Sequence, residues 1–121
     1  MALTKANTVI HDDITLTASG ADTTSSTQDL TAVYQSIVRV RITNGATGPT
    51  VAAQCKLQVS EADTAAKYMT LATVVGSTAN NGVVEAVMAV PDPAEYLRLI
   101  SGSNTGQNVT LRAVIEKVTA L

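Results

Sequence analysis

The chain contains no phenylalanine and no tryptophan, and its only aromatics are Tyr34, Tyr68 and Tyr96. A core without large rings must be filled by Val, Ala, Leu and Ile, each burying less than the ~150–250 Å² of an aromatic side chain. The expected core is therefore narrow. There is one cysteine, Cys55, and one histidine, His11. Cys55 falls mid-strand on an inward face, where a thiol acts as a small hydrophobe and not as a reactive or bridging group. Any Ser-His-Asp or Cys-His scheme must pass through His11. In a regular strand His11 and Asp13 share a face and Asp12 points the other way, but no GxSxG elbow accompanies them. A partly exposed strand histidine is the expectation, and the chain is read as no enzyme.

Other absences narrow the field further. No CxxC, HExxH or calcium-loop spacing occurs, so Asp92 with Glu95, or Asp22 with Asp29, reads as solvated loop charge and no metal or cofactor is expected. The glycines of "GATG" and "SGSNTGQ" lead into strands, so they serve turns and do not cradle phosphate. A net charge of −2 with eight scattered basic residues gives nucleic acid no purchase. At 45% hydrophobic content, disorder is excluded as well. The start "MALTKANTVIHDD" holds no seven-residue apolar run, being interrupted by Lys5, Asp12 and Asp13, so no secretory leader is expected. Without one, "NVT" (108–110) is a chance match to the glycosylation pattern. No stretch approaches the roughly 20 apolar residues of a membrane helix. A soluble chain made in a reducing cytoplasm, without a membrane partner, is expected.

What is present is period-two alternation. A strand is expected over 8–18, after a possible N-terminal arm at 1–7. The polar stretch 19–29 reads as a loop holding at most a short edge strand. "SIVRVRIT" (36–43) alternates cleanly, with Val38, Val40 and Ile42 inward and Arg39 and Arg41 outward. "VAAQCKLQVS" (51–60) puts Val51, Ala53, Cys55, Leu57 and Val59 inward and Gln54, Lys56 and Gln58 outward. Between these two strands, Asn44-Gly45 and Gly48-Pro49 supply turn chemistry, and a hairpin or tight crossover is expected. "EADTAAK" (61–67) is a loop or single turn, and "YMTLATVV" (68–75) a strand. Asn81-Gly82 is a strong turn signal. "VVEAVMAV" (83–90) is apolar on both faces except at Glu85, which predicts a central or doubly covered strand. Pro91 and Pro93 end it. "EYLRLI" (95–100) and "NVTLRAVIEKV" (108–118) flank a loop of hairpin type.

Seven or eight strands with regular turn signals, in 121 residues, predict one all-β domain over 1–121. The fold is an antiparallel β-sandwich, jelly-roll-like first and immunoglobulin-like second. Such a chain buries about two thirds of its unfolded surface, enough for a sandwich.

The outward rows carry the candidate site. Arg39 and Arg41 project from a strand taken to neighbour Gln54, Lys56 and Gln58, and Arg112 and Glu116 form a similar row on the last strand. Two readings stand for this surface. One is a solvated sheet with cross-strand Arg–Glu pairs. The other is a polar interface, since Arg is favoured where protein meets protein. Ala2, Leu3 and Lys5 join the candidates as part of an arm that lies on a neighbour.

Through "TNGATGPTVAAQCKLQVS", "YMTLATVV" and "AEYLRLISGSNTGQNVTLRAVIEKV", from about residue 36 onward, the chain resembles small virion structural proteins of tailed bacteriophages. The nearest class is the capsid cement or decoration proteins. The resemblance implies a subunit on the outside of a shell that bridges copies of the major capsid protein, as a small homo-oligomer (dimer or trimer). It carries no functional residue across, because the class has no shared ligand motif. Weak contacts repeated over a lattice gain from avidity. The alternative is a tail or surface β-sandwich that binds host glycan, against which the scarcity of aromatic rings weighs.

Overall fold

The computed structural model describes residues 3–120. Nine strands follow in order: β1 (Thr4–Leu16), β2 (Thr23–Thr24), β3 (Gln28–Asp29), β4 (Gln35–Asn44), β5 (Gln54–Ser60), β6 (Met69–Val75), β7 (Val83–Val90), β8 (Tyr96–Gly102) and β9 (Val109–Ala120). The stretch 61–67, read as a loop or single turn, holds one 3-10 turn, Ala65–Lys67. The strands build two antiparallel sheets. The first has the order β1-β9-β4-β7; the second has β2-β8-β5-β6, with β3 also on β8.

β2 and β3 pair with successive parts of β8, Thr24 with Ile100 and Gln28 with Leu97, so together they act as one interrupted edge strand. Eight strand positions result, and nearly every connection crosses from one sheet to the other. That is the jelly-roll arrangement. An immunoglobulin sandwich keeps its first two strands in one sheet, whereas β1 and β2 lie in different sheets here.

The core lies between the sheets and is aliphatic. Val38, Val40 and Ile42 of β4 and Leu111, Ala113 and Ile115 of β9 meet Cys55, Leu57, Leu97 and Leu99, all at most 2% exposed. Strict alternation on these strands puts one row of each into the gap, as the sequence pattern requires. No tyrosine joins the core.

Several expectations change. Of the two alternatives at 44–50, hairpin or tight crossover, the crossover is the one formed, and the turn at 76–82 and the loop read as of hairpin type at 103–108 also cross between sheets. Turn chemistry fixes local backbone direction, and Asn81 does adopt a left-handed φ of 55°. It does not decide which sheet the next strand joins. Buried amides hold these corners together. Asn44 Nδ2 donates to the carbonyls of Ser77 at 2.8 Å and Ala79 at 2.9 Å. Asn104 Nδ2 donates to Leu16 at 3.0 Å and Gln107 at 2.9 Å. Gly48 lies so close to the next corner that a Cβ there would sit 2.0 Å from the Thr78 carbonyl oxygen.

The N-terminal segment is also a strand. Thr4, Lys5, Ala6 and Asn7 pair with Ala120, Val118, Lys117 and Glu116, so 4–7 extends β1 and does not reach out as an arm. Val51 lies outside β5, exposed and in an isolated bridge to Thr105. β7 is an edge strand, not a central one. Its apolar second face is turned to solvent, with Val83 46% and Val87 55% exposed.

Candidate functional site

The register of the first sheet aligns its outward side chains in rows. One row reads Val9, Val114, Arg39, Val87 across β1, β9, β4 and β7. The next reads Asn7, Glu116, Ile37, Ala89. On the other side, Arg112 and Arg41 face each other directly, with Glu85 beyond Arg41. Two guanidinium groups side by side repel, and each is met by a carboxylate: Arg41 by Glu85 at 3.4 Å, Arg112 by Asp12. Arg39 Nε donates diagonally to Glu116 Oε1 at 2.7 Å. That hydrogen bond, reinforced by the Glu116 charge, holds the Arg39 guanidinium still more firmly in its charged form. Exposed valines thus alternate with three ion pairs. The surface carries two open depressions. One of about 420 Å³ lies over Arg39, Arg41, Arg112, Glu85, Val87 and Val114. The other, of about 660 Å³, lies toward the Lys5, Gln35 and Asp92 end.

The second sheet presents a different face. Arg98 Nε donates to Gln58 Oε1 at 2.9 Å, and Gln58 Nε2 donates to Thr70 Oγ1 at 3.1 Å. The Arg98 guanidinium also lies 4.2 Å from the centroid of the Tyr68 ring. The Tyr68 hydroxyl donates to Asp63 Oδ1 at 3.1 Å, and the Thr27 hydroxyl donates to the same oxygen at 2.8 Å. Partial burial, with the Asp63 carboxylate adding to it, pushes the Tyr68 phenol up. Lys56 and Gln54 complete the row outward from β5.

The candidate residues therefore do not form one patch. Arg39, Arg41, Arg112 and Glu116 come together on the first sheet, with Lys5 at its margin. Gln54, Lys56 and Gln58 lie on the opposite side of the sandwich, because β4 and β5 belong to different sheets. Leu3, 52% exposed, precedes β1; Ala2 lies outside the described residues. Sequence reading missed Val9, Val83, Val87 and Val114 as part of the first face, and the Tyr68–Arg98 stack on the second. Alternation within "VVEAVMAV" already placed Val83 and Val87 beside Glu85. The stack carried no local signal, since its partners are 30 positions apart in the chain.

His11 is buried, 7% exposed, not partly exposed as expected. The cause is a pair of irregularities in β1, between Val9 and His11 and between His11 and Ile14, with Asp13 at φ 51°. They separate His11 from Asp13, which remains exposed. Burial pushes the His11 pKa down, and its Nε2 has no hydrogen-bond partner among the described residues. Burial pushes the Cys55 thiol up. Among the described residues no three His, Cys, Asp or Glu side chains gather as metal ligands. No helix there is long and apolar enough to cross a membrane.

No protein-family model matches the chain, and no curated protein does. Solved structures share its fold at low identity. The SPBc2 prophage-derived protein YomS superposes with a TM-score of 0.54 at 10% identity, over 96% of each chain. The CBM36-1 domain of a multidomain xylanase from the hindgut metagenome of Trinervitermes trinervoides gives 0.56 at 12%, over 98% of this chain and 99% of that one. VP2 of infectious bursal disease virus, in its subviral particle, gives 0.55 at 10%, over 98% of this chain and 33% of that one. A fold hosting such different roles does not by itself assign one.

Proposed function

We propose that the chain is a non-enzymatic virion structural protein that binds the outside of a phage capsid and bridges subunits of the major capsid protein. The observation that carries this reading is the outer face of the first sheet. Exposed Val9 and Val87 and half-buried Val114 are interleaved with the Arg39–Glu116, Arg41–Glu85 and Arg112–Asp12 pairs. Such a surface offers desolvatable apolar area beside arginines able to exchange carboxylate partners, the composition that favours protein contact. Its extent along four strands suits adhesion to a broad neighbour better than capture of a small molecule. Likeness of fold to a prophage-derived protein and to the VP2 protein of a viral subviral particle supports the reading. The test is addition of the purified chain to shells assembled from major capsid protein. It should co-sediment with them at a fixed ratio and raise their resistance to heat and low salt. Shells that neither bind it nor gain resistance would contradict the reading.

A second reading has one observation in its favour. The half-exposed Tyr68 ring, braced by Arg98, Thr27 and Asp63, is a small aromatic platform on the other face, and a carbohydrate-binding module shares the fold. Reproducible binding on a glycan array, lost in Tyr68→Ala, would favour it over adhesion to shells.

A further inference from the structure

Four strand positions lie at sheet edges, and three of them carry features that hinder pairing with another chain. β1 is irregular at three points and bears Lys5, Asp12 and Asp13. β2 and β3 are two residues each, with a break between them. β6 slips in register against β5, where Leu57 faces Ala72 but Gln58 faces Thr70, leaving Leu71 as the extra residue. Bulges, short edges and edge charges of this kind are how sheets avoid pairing edge to edge. β7 has no bulge and no break. It runs eight residues in unbroken register with β4, from Val83 opposite Thr43 to Val90 opposite Ser36, with no Pro, no Lys and one charge, Glu85.

Its backbone identifies which groups are open. The Asn44 amide donates to the Gly82 carbonyl at 2.8 Å. In an antiparallel ladder alternate residues turn both polar groups to the same neighbour. Val84, Ala86, Met88 and Val90 therefore face β4, while Val83, Glu85, Val87 and Ala89 direct four N–H and four C=O groups at the open edge.

We propose that this edge pairs with the same edge of a second copy, antiparallel about a two-fold axis, so that two four-stranded sheets become one of eight strands. The edge fits its own reverse in a single register. Centred on Ala86, Val83 faces Ala89 and Glu85 faces Val87 of the second copy, and all four open residues of each strand are paired. Centring on Glu85 sets two carboxylates opposite each other, which is unfavourable. Centring on Val87 sets Val83 against Pro91, which has no N–H to give. In the favoured register Glu85 stands between its own Arg41 and, one position beyond Val87 of the second copy, that copy's Arg39. Charges then alternate across the junction. This fit of the edge to its own reverse singles out a second copy over a foreign strand, and it holds whether or not the chain binds capsids.

The sign of a charge placed at Val87 tests the register. Sedimentation equilibrium on the unmodified chain should show a monomer–dimer equilibrium, with the Val83, Glu85, Val87 and Ala89 amides exchanging more slowly as concentration rises. Val87→Glu sets like charges opposite Glu85 twice per dimer and should weaken association roughly tenfold or more. Val87→Lys should retain the dimer. Val87 is exposed, so folding of both variants, followed by urea denaturation, should be unchanged. A chain that stays monomeric to millimolar concentration overturns the proposal, as does equal association of the Glu and Lys variants. If a variant fails to fold, the amide-exchange profile of the unmodified protein still decides it.

Discussion

The two outer faces of the sandwich are built on the same core yet differ in kind. On the first sheet, three arginines meet three carboxylates among exposed valines. On the second, amides and hydroxyls around Gln58, Thr70 and Thr27 satisfy one another, and a single arginine is taken up by Gln58 and the Tyr68 ring. Hydrogen-bonding capacity on the second face is largely spent internally. On the first, the ion pairs are exposed, and exposed pairs contribute little to folding. Groups that the fold does not need are the ones free to serve an interface.

The largest effect expected tests whether the faces share one scaffold. Leu111→Ala, beneath the first sheet, and Leu99→Ala, beneath the second, should each lower stability by about 2–5 kcal/mol in urea denaturation. A large loss from one and none from the other would mean that the sheets do not depend on each other. Gly48→Ala comes next, because the new methyl meets the Thr78 carbonyl; forcing that corner apart should cost about 1–3 kcal/mol. Tyr68→Ala removes the stack on the second face and should cost about 0.5–1 kcal/mol beyond the area lost, read against Tyr68→Phe.

pH acts through β1. Burial holds folded His11 below its ordinary value of 6.5, so the unfolded chain takes up the proton first. Stability is then complete above about pH 6.5 and falls as pH drops toward the folded-state value, where the loss levels off. His11→Leu should flatten urea midpoints measured between pH 7.5 and 5; an unchanged slope would remove His11 as the cause. The smallest effect is expected at Arg39, whose pair with Glu116 is solvent-exposed. Arg39→Ala should leave the urea midpoint within error while weakening attachment to shells.

Alternation alone made the inner row of β4 legible, and in β5 that of Cys55 and Leu57, because each such strand has one face that must be dry; beyond Leu57 the register slip against β6 leaves Val59 half-buried and Ser60 buried. The same logic misled at "VVEAVMAV". A strand apolar on both faces reads as buried, and only the sheet order shows that β7 is an edge with Val83 and Val87 in solvent. Turn residues were found at the right places but not their destinations, since Asn-Gly chemistry is equally compatible with a hairpin and a corner. That ambiguity placed Arg39 and Arg41 beside Gln54, Lys56 and Gln58, when the sandwich separates them. His11 was misjudged because a bulge changes which way every later side chain points, and "VIHDDI" carries no glycine to announce one.

The proposed role is decided by which face touches a shell. Val114→Asp, on the first sheet, and Gln58→Ala, on the second, can each be mixed with assembled major capsid protein and their bound fraction measured by co-sedimentation. Loss of binding for Val114→Asp with full binding for Gln58→Ala is the predicted result. Equal binding by both variants, or loss confined to Gln58→Ala, would contradict it.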